Sequence, residues 1–212
     1  MAIANKDKVV LIKSYFDEIL PTAGCELEYN SDYGFLIAVM LSAQCTDKKV
    51  NVVTRKLFSK YKSIEELNQA PLSDIENEIK SLGLYKNKAK NLKETVKILI
   101  EKYNGIVPKD KNELMKLPGV GNKTANVVRV ELFKEQELPV DTHVFRVSKR
   151  LGLINENDDV LDCEHKLKKL FKGYDYILLH HQFIHFGRYF CKAMSPKCEN
   201  CKLKGFCRAV KD

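Results

Sequence analysis

Helix signals recur along the whole chain and strand signals are nearly absent, which confines the fold to the all-α class. Ile12, Tyr15, Phe16, Ile19 and Leu20 repeat at i, i+3, i+4, i+7 and i+8, and Pro21 stops the run. YGFLIAVMLSAQ (33–44) is apolar nearly all round and reads as a buried helix. Ser63 with Glu66, and Ser73 with Glu76, have the spacing of capping boxes. Gly83 and Gly105 are suited to end the helices before them, the second spanning 88–103. Asp110 with Glu113 starts a short helix over 111–117. Further helices are predicted over 122–134, 142–151, 163–171 and 174–190. No fixed-period repeat, low-complexity tract or Pro/Gly-rich linker interrupts them, so the pattern predicts an all-α, compact, two-lobed protein.

The chain carries 36 Lys+Arg against 28 Asp+Glu, a net charge of +8. That balance suits a polyanionic partner such as nucleic acid, although a basic, merely soluble surface would look the same. No apolar run approaches the ~20 residues of a membrane span. The N-terminus, MAIANKDKVVLIKSYF, has no signal-peptide core. A cytoplasmic location in reducing surroundings is the expectation, where structural disulfides are rare.

KNELMKLPGVGNKTANVV (111–128) reads helix, turn, helix. Pro118 blocks continuation of the first helix, and Gly119 and Gly121 permit backbone conformations closed to other residues. The amides of Gly119, Val120 and Gly121 are then expected to face outward and to join the free N–H groups of the next helix, a phosphate site. Lys123 sits in that helix's first turn, where partial positive charge makes a cation unwelcome. Partial burial would add to this. Both effects favour the neutral, nucleophilic amine. Asp141 opens the next helical run, VDTHVFRV, as an ordinary N-cap or as a carboxylate working with Lys123. An amine and a carboxylate together suit attack at a sugar C1′: the carboxylate steadies oxocarbenium-like charge and the amine forms an imine.

Seven cysteines are present, and Cys191, Cys198, Cys201 and Cys207 crowd into a C-x6-C-x2-C-x5-C run. Four thiolates at this spacing can close round one metal centre. Spacing alone leaves both zinc and an iron–sulfur cluster open, with disulfides third. Cys25 and Cys163 read as small apolar packing residues. His181 and His185 lie four apart but lack the glutamate of a zincin pattern, so packing is expected.

LPGVGNKTANVV followed by VDTHVFRV resembles the helix-hairpin-helix, Gly/Pro-rich, aspartate signature of the DNA glycosylase superfamily. The lysine version with a C-terminal four-cysteine loop is similar to the endonuclease III family, as are LSAQCTD (41–47) and GLYKNKAKNL (83–92). The resemblance implies a six-helix, barrel-like lobe over 25–135 bearing the hairpin, and a second lobe from 1–24 plus 136–212. It implies excision of oxidised or damaged pyrimidines from double-stranded DNA, then β-elimination at the abasic site. Lys123 would be the nucleophile and Asp141 the essential carboxylate. Cys191, Cys198, Cys201 and Cys207 would hold a [4Fe–4S] cluster, with Lys192 and Lys197 in the intervening loop directed at phosphates. Gln44 and Leu84 match the positions that fill the gap left by an extruded nucleotide. A monomer is expected. Cys45 departs from the pattern, standing where a small residue such as alanine is expected.

Overall fold

The computed structural model describes residues 4–210, and among them there are helices and no strands. In chain order the α-helices are α1 (Asn5–Ile19), α2 (Asp32–Leu41), α3 (Asp47–Lys60), α4 (Ile64–Gln69), α5 (Leu72–Ile79), α6 (Tyr85–Tyr103), α7 (Lys111–Met115), α8 (Asn122–Phe133), α9 (Thr142–Arg150), α10 (Val160–Leu170) and α11 (Tyr176–His185). The chain divides into two compact units: Glu26–Lys134, and the segments up to Cys25 and from Glu135 onward.

In the 26–134 unit, α2 is buried from Gly34 to Leu41 and packs on α3, α6 and α8. Its apolar surround is the reason: each large side chain so buried contributes ~1.5–3 kcal/mol relative to exposure. Ser31 caps its start by accepting from the Gly34 amide. α6 also packs on α4 and α5. Near its C-terminal end, Tyr103 Oη donates to Glu113 Oε2 (2.6 Å) and Lys102 Nζ does so at 2.9 Å, which ties α7 to it. Lys116, Tyr103 and Lys102 together hold the Glu113 carboxyl down to about 2. Asp110 starts α7 as the spacing predicts, accepting from the Asn112 and Glu113 amides.

In the other unit, Ile12 and Phe16 of α1 meet Val144 and Val147 of α9, Leu167 of α10 and Phe183 of α11 in one buried core. The ring of Phe16 packs edge-on against Phe183 at 5.1 Å between centroids. Cys163 lies fully inside this core, where burial pushes its thiol up to about 11. It packs as a small apolar residue. His181 is buried, and His185 Nε2 lies 3.0 Å from the Gly24 carbonyl.

Three local expectations are corrected. α3 is an additional helix, capped by Thr46. α5 begins directly after Pro71, so Ser73 lies inside the first turn and caps nothing. Pro71 is the N-cap, with φ fixed by its ring and ψ 142°, and it gives no side-chain cap. The helix expected over 174–190 is α-helical only to His185 and continues as a π-helical turn, Phe186–Phe190. Gly187 lies within this turn. A Cβ there would come within 2.8 Å of His143 Cβ, so the backbones approach as only glycine allows.

Candidate active site

The turn between α7 and α8 is built from the outside in. Leu117 and Val120 are buried and anchor it. Gly119 has φ +79°, and a Cβ on it would lie 2.8 Å from Asn91 Nδ2 of α6. Conformation and space both demand glycine. Thr95 Oγ1, a turn further along α6, donates to the Pro118 carbonyl at 3.2 Å. Gly121 is the extended N-cap of α8 and offers no side chain to cap it. No acidic residue stands in α8's first turn. Intrahelical bonding begins at Ala125, whose amide donates to the Gly121 carbonyl, so the amides of Asn122, Lys123 and Thr124 precede it. This is a helix start fitted for an external anion. Val120 does not join it: its amide donates to the Leu117 carbonyl at 3.1 Å, and its side chain is 5 % exposed. The buried valine anchors the hairpin.

Lys123 stands on the first turn of α8 and is exposed. The expected partial burial is absent, so the helix dipole alone disfavours the cation there.

Asp141 is the N-cap of α9. Its Oδ1 accepts from the His143 and Val144 amides, both at 2.8 Å. Both bonds end on one oxygen, so capping occupies half of the carboxylate and the charge is shared with Oδ2. The cap and the chemical role are therefore compatible. Burial pushes the His143 imidazole below its usual value; Asp141 opposes this, and Arg146 and Arg188 reinforce it. Lys123 and Asp141 belong to different compact units.

Gln44 and Leu84 share an unusual backbone. Each has φ +57°, the left-handed region, although neither is glycine. Gln44 lies past the end of α2, in a turn, rather than in its last helical turn. Leu84 precedes α6 and is 63 % exposed. An exposed leucine held in a strained conformation is a costly feature that packing does not explain.

Cys191, Cys198, Cys201 and Cys207 line one small pocket, walled otherwise by Tyr15, Leu151, Phe186 and Phe190 among others. All four thiols are half-buried. Burial pushes the Cys201 thiol up, and Cys207, Cys191 and Cys198 add to the rise, which places the four within electrostatic reach. Among the described residues, no three His, Cys, Asp or Glu side chains are grouped to hold a single metal ion. One tetrahedral zinc needs its ligands on one point, whereas a polynuclear cluster takes different cysteines on different irons.

Arg146 and Arg150 of α9 were not legible as site residues. Arg146 Nη2 donates to the Gly187 and Cys191 carbonyls (2.8 and 3.1 Å). Arg150 Nη1 donates to the Lys192 carbonyl (2.6 Å) and lies 3.3 Å from Cys191 Sγ. They hold the loop that carries Lys192 and Lys197, both exposed. Lys197 lies over the Phe190 ring, its Nζ 5.5 Å from the centroid.

Residues 37–173 match the family model described as HhH-GPD superfamily base excision DNA repair protein. Endonuclease III of Bacillus subtilis (strain 168) is 50 % identical over 191 residues, covering 90 % of this chain and 87 % of that protein. Two solved structures align with TM-scores of 0.92 and 0.93 at 47 % identity, over 97 % of this chain and 97 % and 96 % of theirs. They are a trapped endonuclease III–DNA covalent intermediate (estranged-adenine complex) and a non-covalent endonuclease III–DNA complex. The chain is a helix-hairpin-helix base-excision repair protein and belongs to the endonuclease III family.

Proposed function

We propose that this protein is a bifunctional DNA glycosylase and abasic-site lyase that removes oxidised or ring-damaged pyrimidines from duplex DNA, with Lys123 as nucleophile and Asp141 as its carboxylate. The observation that carries the reading is an exposed lysine in the first turn of a helix whose start lacks both a side-chain cap and an acidic residue. Its family relatives captured on DNA, one of them covalently, support it.

The chemistry follows from the groups. The Lys123 lone pair forms a bond to C1′ while the glycosidic bond breaks, its electron pair leaving with the base, which takes up a proton. The Asp141 charge steadies the oxocarbenium-like sugar. Ring opening and loss of the amine protons give an imine. Removal of a C2′ proton then expels the 3′ phosphate and cuts the strand. The outward amides at the start of α8 hold a neighbouring phosphate. The target nucleotide leaves the stack, and Gln44 and Leu84 enter the space behind it. Among the described residues no helix is long and apolar enough to cross a membrane. A duplex containing thymine glycol and a duplex containing an abasic site test the proposal. Cleavage of both is expected. Failure to cut either would leave a non-catalytic helix-hairpin-helix binding module.

Cys191, Cys198, Cys201 and Cys207 are the residues to hold a [4Fe–4S] cluster. When bound, it would tie four thiolates into one rigid loop and hold Lys192 and Lys197 toward phosphates, a positioning role that needs no redox chemistry. Purified protein is expected to be yellow-brown, with about four irons and four sulfides per chain. Cys198→Ser is expected to lose most of that colour and to melt earlier, because ligation is also folding energy. A colourless protein with one zinc per chain would contradict the assignment.

A further inference from the structure

α6 links the recognition elements of the 26–134 unit. Leu84 immediately precedes it. Asn91 and Thr95, further along, touch the hairpin turn at Gly119 and Pro118. Between them, one turn into the helix, lies Lys88, which is 8 % exposed.

Burying an ammonium is costly unless its donors are satisfied. Lys88 meets that demand in an unusual way. Its Nζ donates to the Leu41 carbonyl at 3.0 Å and the Ala43 carbonyl at 2.7 Å, and lies 3.3 Å from Cys45 Sγ. Three N–H groups thus face three acceptors, none a carboxylate. The acceptors straddle Gln44: Leu41 and Ala43 precede it, Cys45 follows. They also sit at and just past the C-terminal end of α2, where the helix dipole favours a cation.

The turn so gripped is strained, since Gln44 holds φ +57°. A left-handed glutamine persists only where its surroundings over-determine it. The grip comes from the same helix that presents Leu84, whose φ is also +57°. Lys88 and Leu84 are also joined directly: the Lys88 amide donates to the Leu84 carbonyl at 3.1 Å. One residue therefore bonds both turns, through its main chain to one and its side chain to the other.

We propose that Lys88 is a positioning residue for nucleotide extrusion: it locks the Gln44 turn in register with Leu84 so that both side chains enter the duplex gap together. This rests on the gap-filling roles given to Gln44 and Leu84 above. It predicts a substrate-dependent defect. Excision from a duplex needs the gap filled; imine formation at an abasic site in a single strand has no stack and no gap to fill.

The test compares Lys88→Met, Gln44→Ala and the double variant on two substrates: a thymine-glycol duplex, and a single-stranded abasic oligonucleotide trapped with borohydride. Methionine keeps the length and apolar stem of the lysine and removes its donors. Lys88→Met is expected to lose at least tenfold more activity on the duplex than on the single strand. The double variant is expected to fall within twofold of Gln44→Ala alone on the duplex, because Lys88 acts through Gln44. Equal losses on both substrates, or losses that multiply in the double variant, would overturn the proposal and leave Lys88 a structural cap. If Lys88→Met does not fold by circular dichroism, Lys88→Gln is judged by the same two criteria. Leu84→Ala separates this proposal from the reading beneath it. If Gln44→Ala and Leu84→Ala are duplex-selective and Lys88→Met is not, only the proposal fails. If neither alanine variant is duplex-selective, the gap-filling reading fails, and the proposal with it.

Discussion

Lys123→Ala is expected to melt no lower than the parent protein and to lose strand cleavage altogether. The two halves of this expectation have one cause. Lys123 is exposed in the first turn of α8, with the positive end of the helix dipole beside its ammonium. Alanine removes that misplaced cation, which is worth about 0.3–1 kcal/mol in stability, and alanine is also the best helix former. The same change removes the amine that bonds to C1′. Without a covalent route, excision should fall on the order of 10³-fold or more, and β-elimination through an imine should vanish. A variant gaining stability as it loses activity marks a side chain held for chemistry against the preference of the fold. Differential scanning calorimetry and gel assays on thymine-glycol duplex read both halves. A destabilised Lys123→Ala that still cuts would show that Lys123 serves the hairpin and not the reaction.

Asp141→Asn separates two jobs carried by one side chain. As N-cap of α9, Asp141 uses Oδ1 to accept from the His143 and Val144 amides at 2.8 Å each. An asparagine amide oxygen can take both bonds, and asparagine caps about as well as aspartate. The loss is confined to the charge–dipole attraction, about 0.5 kcal/mol. The reaction has no such substitute. A neutral amide neither balances developing positive charge on the sugar nor accepts a proton from the attacking amine. Excision is expected to fall at least ~10²-fold while DNA binding is retained. Asp141→Ala is the control: it removes the cap as well and should cost about 1 kcal/mol more. If Asp141→Asn melts and excises like the parent, the residue is a cap alone.

What could be read from the sequence was what is decided locally. Helix starts with their own capping residue, such as Asp110 and Asp141, stand where the spacing places them. The apolar run of α2 announces its burial. The place of Lys123 in the first turn of α8 was legible because the turn, the helix start and the lysine are contiguous. α3 carried its signal too: Thr46 caps it, and Val50, Val53, Thr54 and Leu57 keep the helical rhythm on its buried face. Other features depend on partners far along the chain. The acceptors of Lys88 lie 43, 45 and 47 positions away, and those of Arg150 lie 41, 42 and 43 away. No periodicity points to them. The close approach of Gly187, within the π turn, to His143 is again long-range. Val120 misled for the opposite reason. Its place between two glycines suggested an outward amide, but the turn closes on itself through Leu117.

Borohydride trapping on abasic duplex, followed by proteolysis and mass mapping of the adduct, tests the nucleophile most directly. Reduction converts a transient imine to a stable amine and so records which nitrogen attacked C1′. The adduct is expected on the peptide containing Lys123, with no trapped complex from Lys123→Ala. An adduct on the N-terminal amine or on another lysine, formed at the parent rate when Lys123 is replaced, would contradict the account.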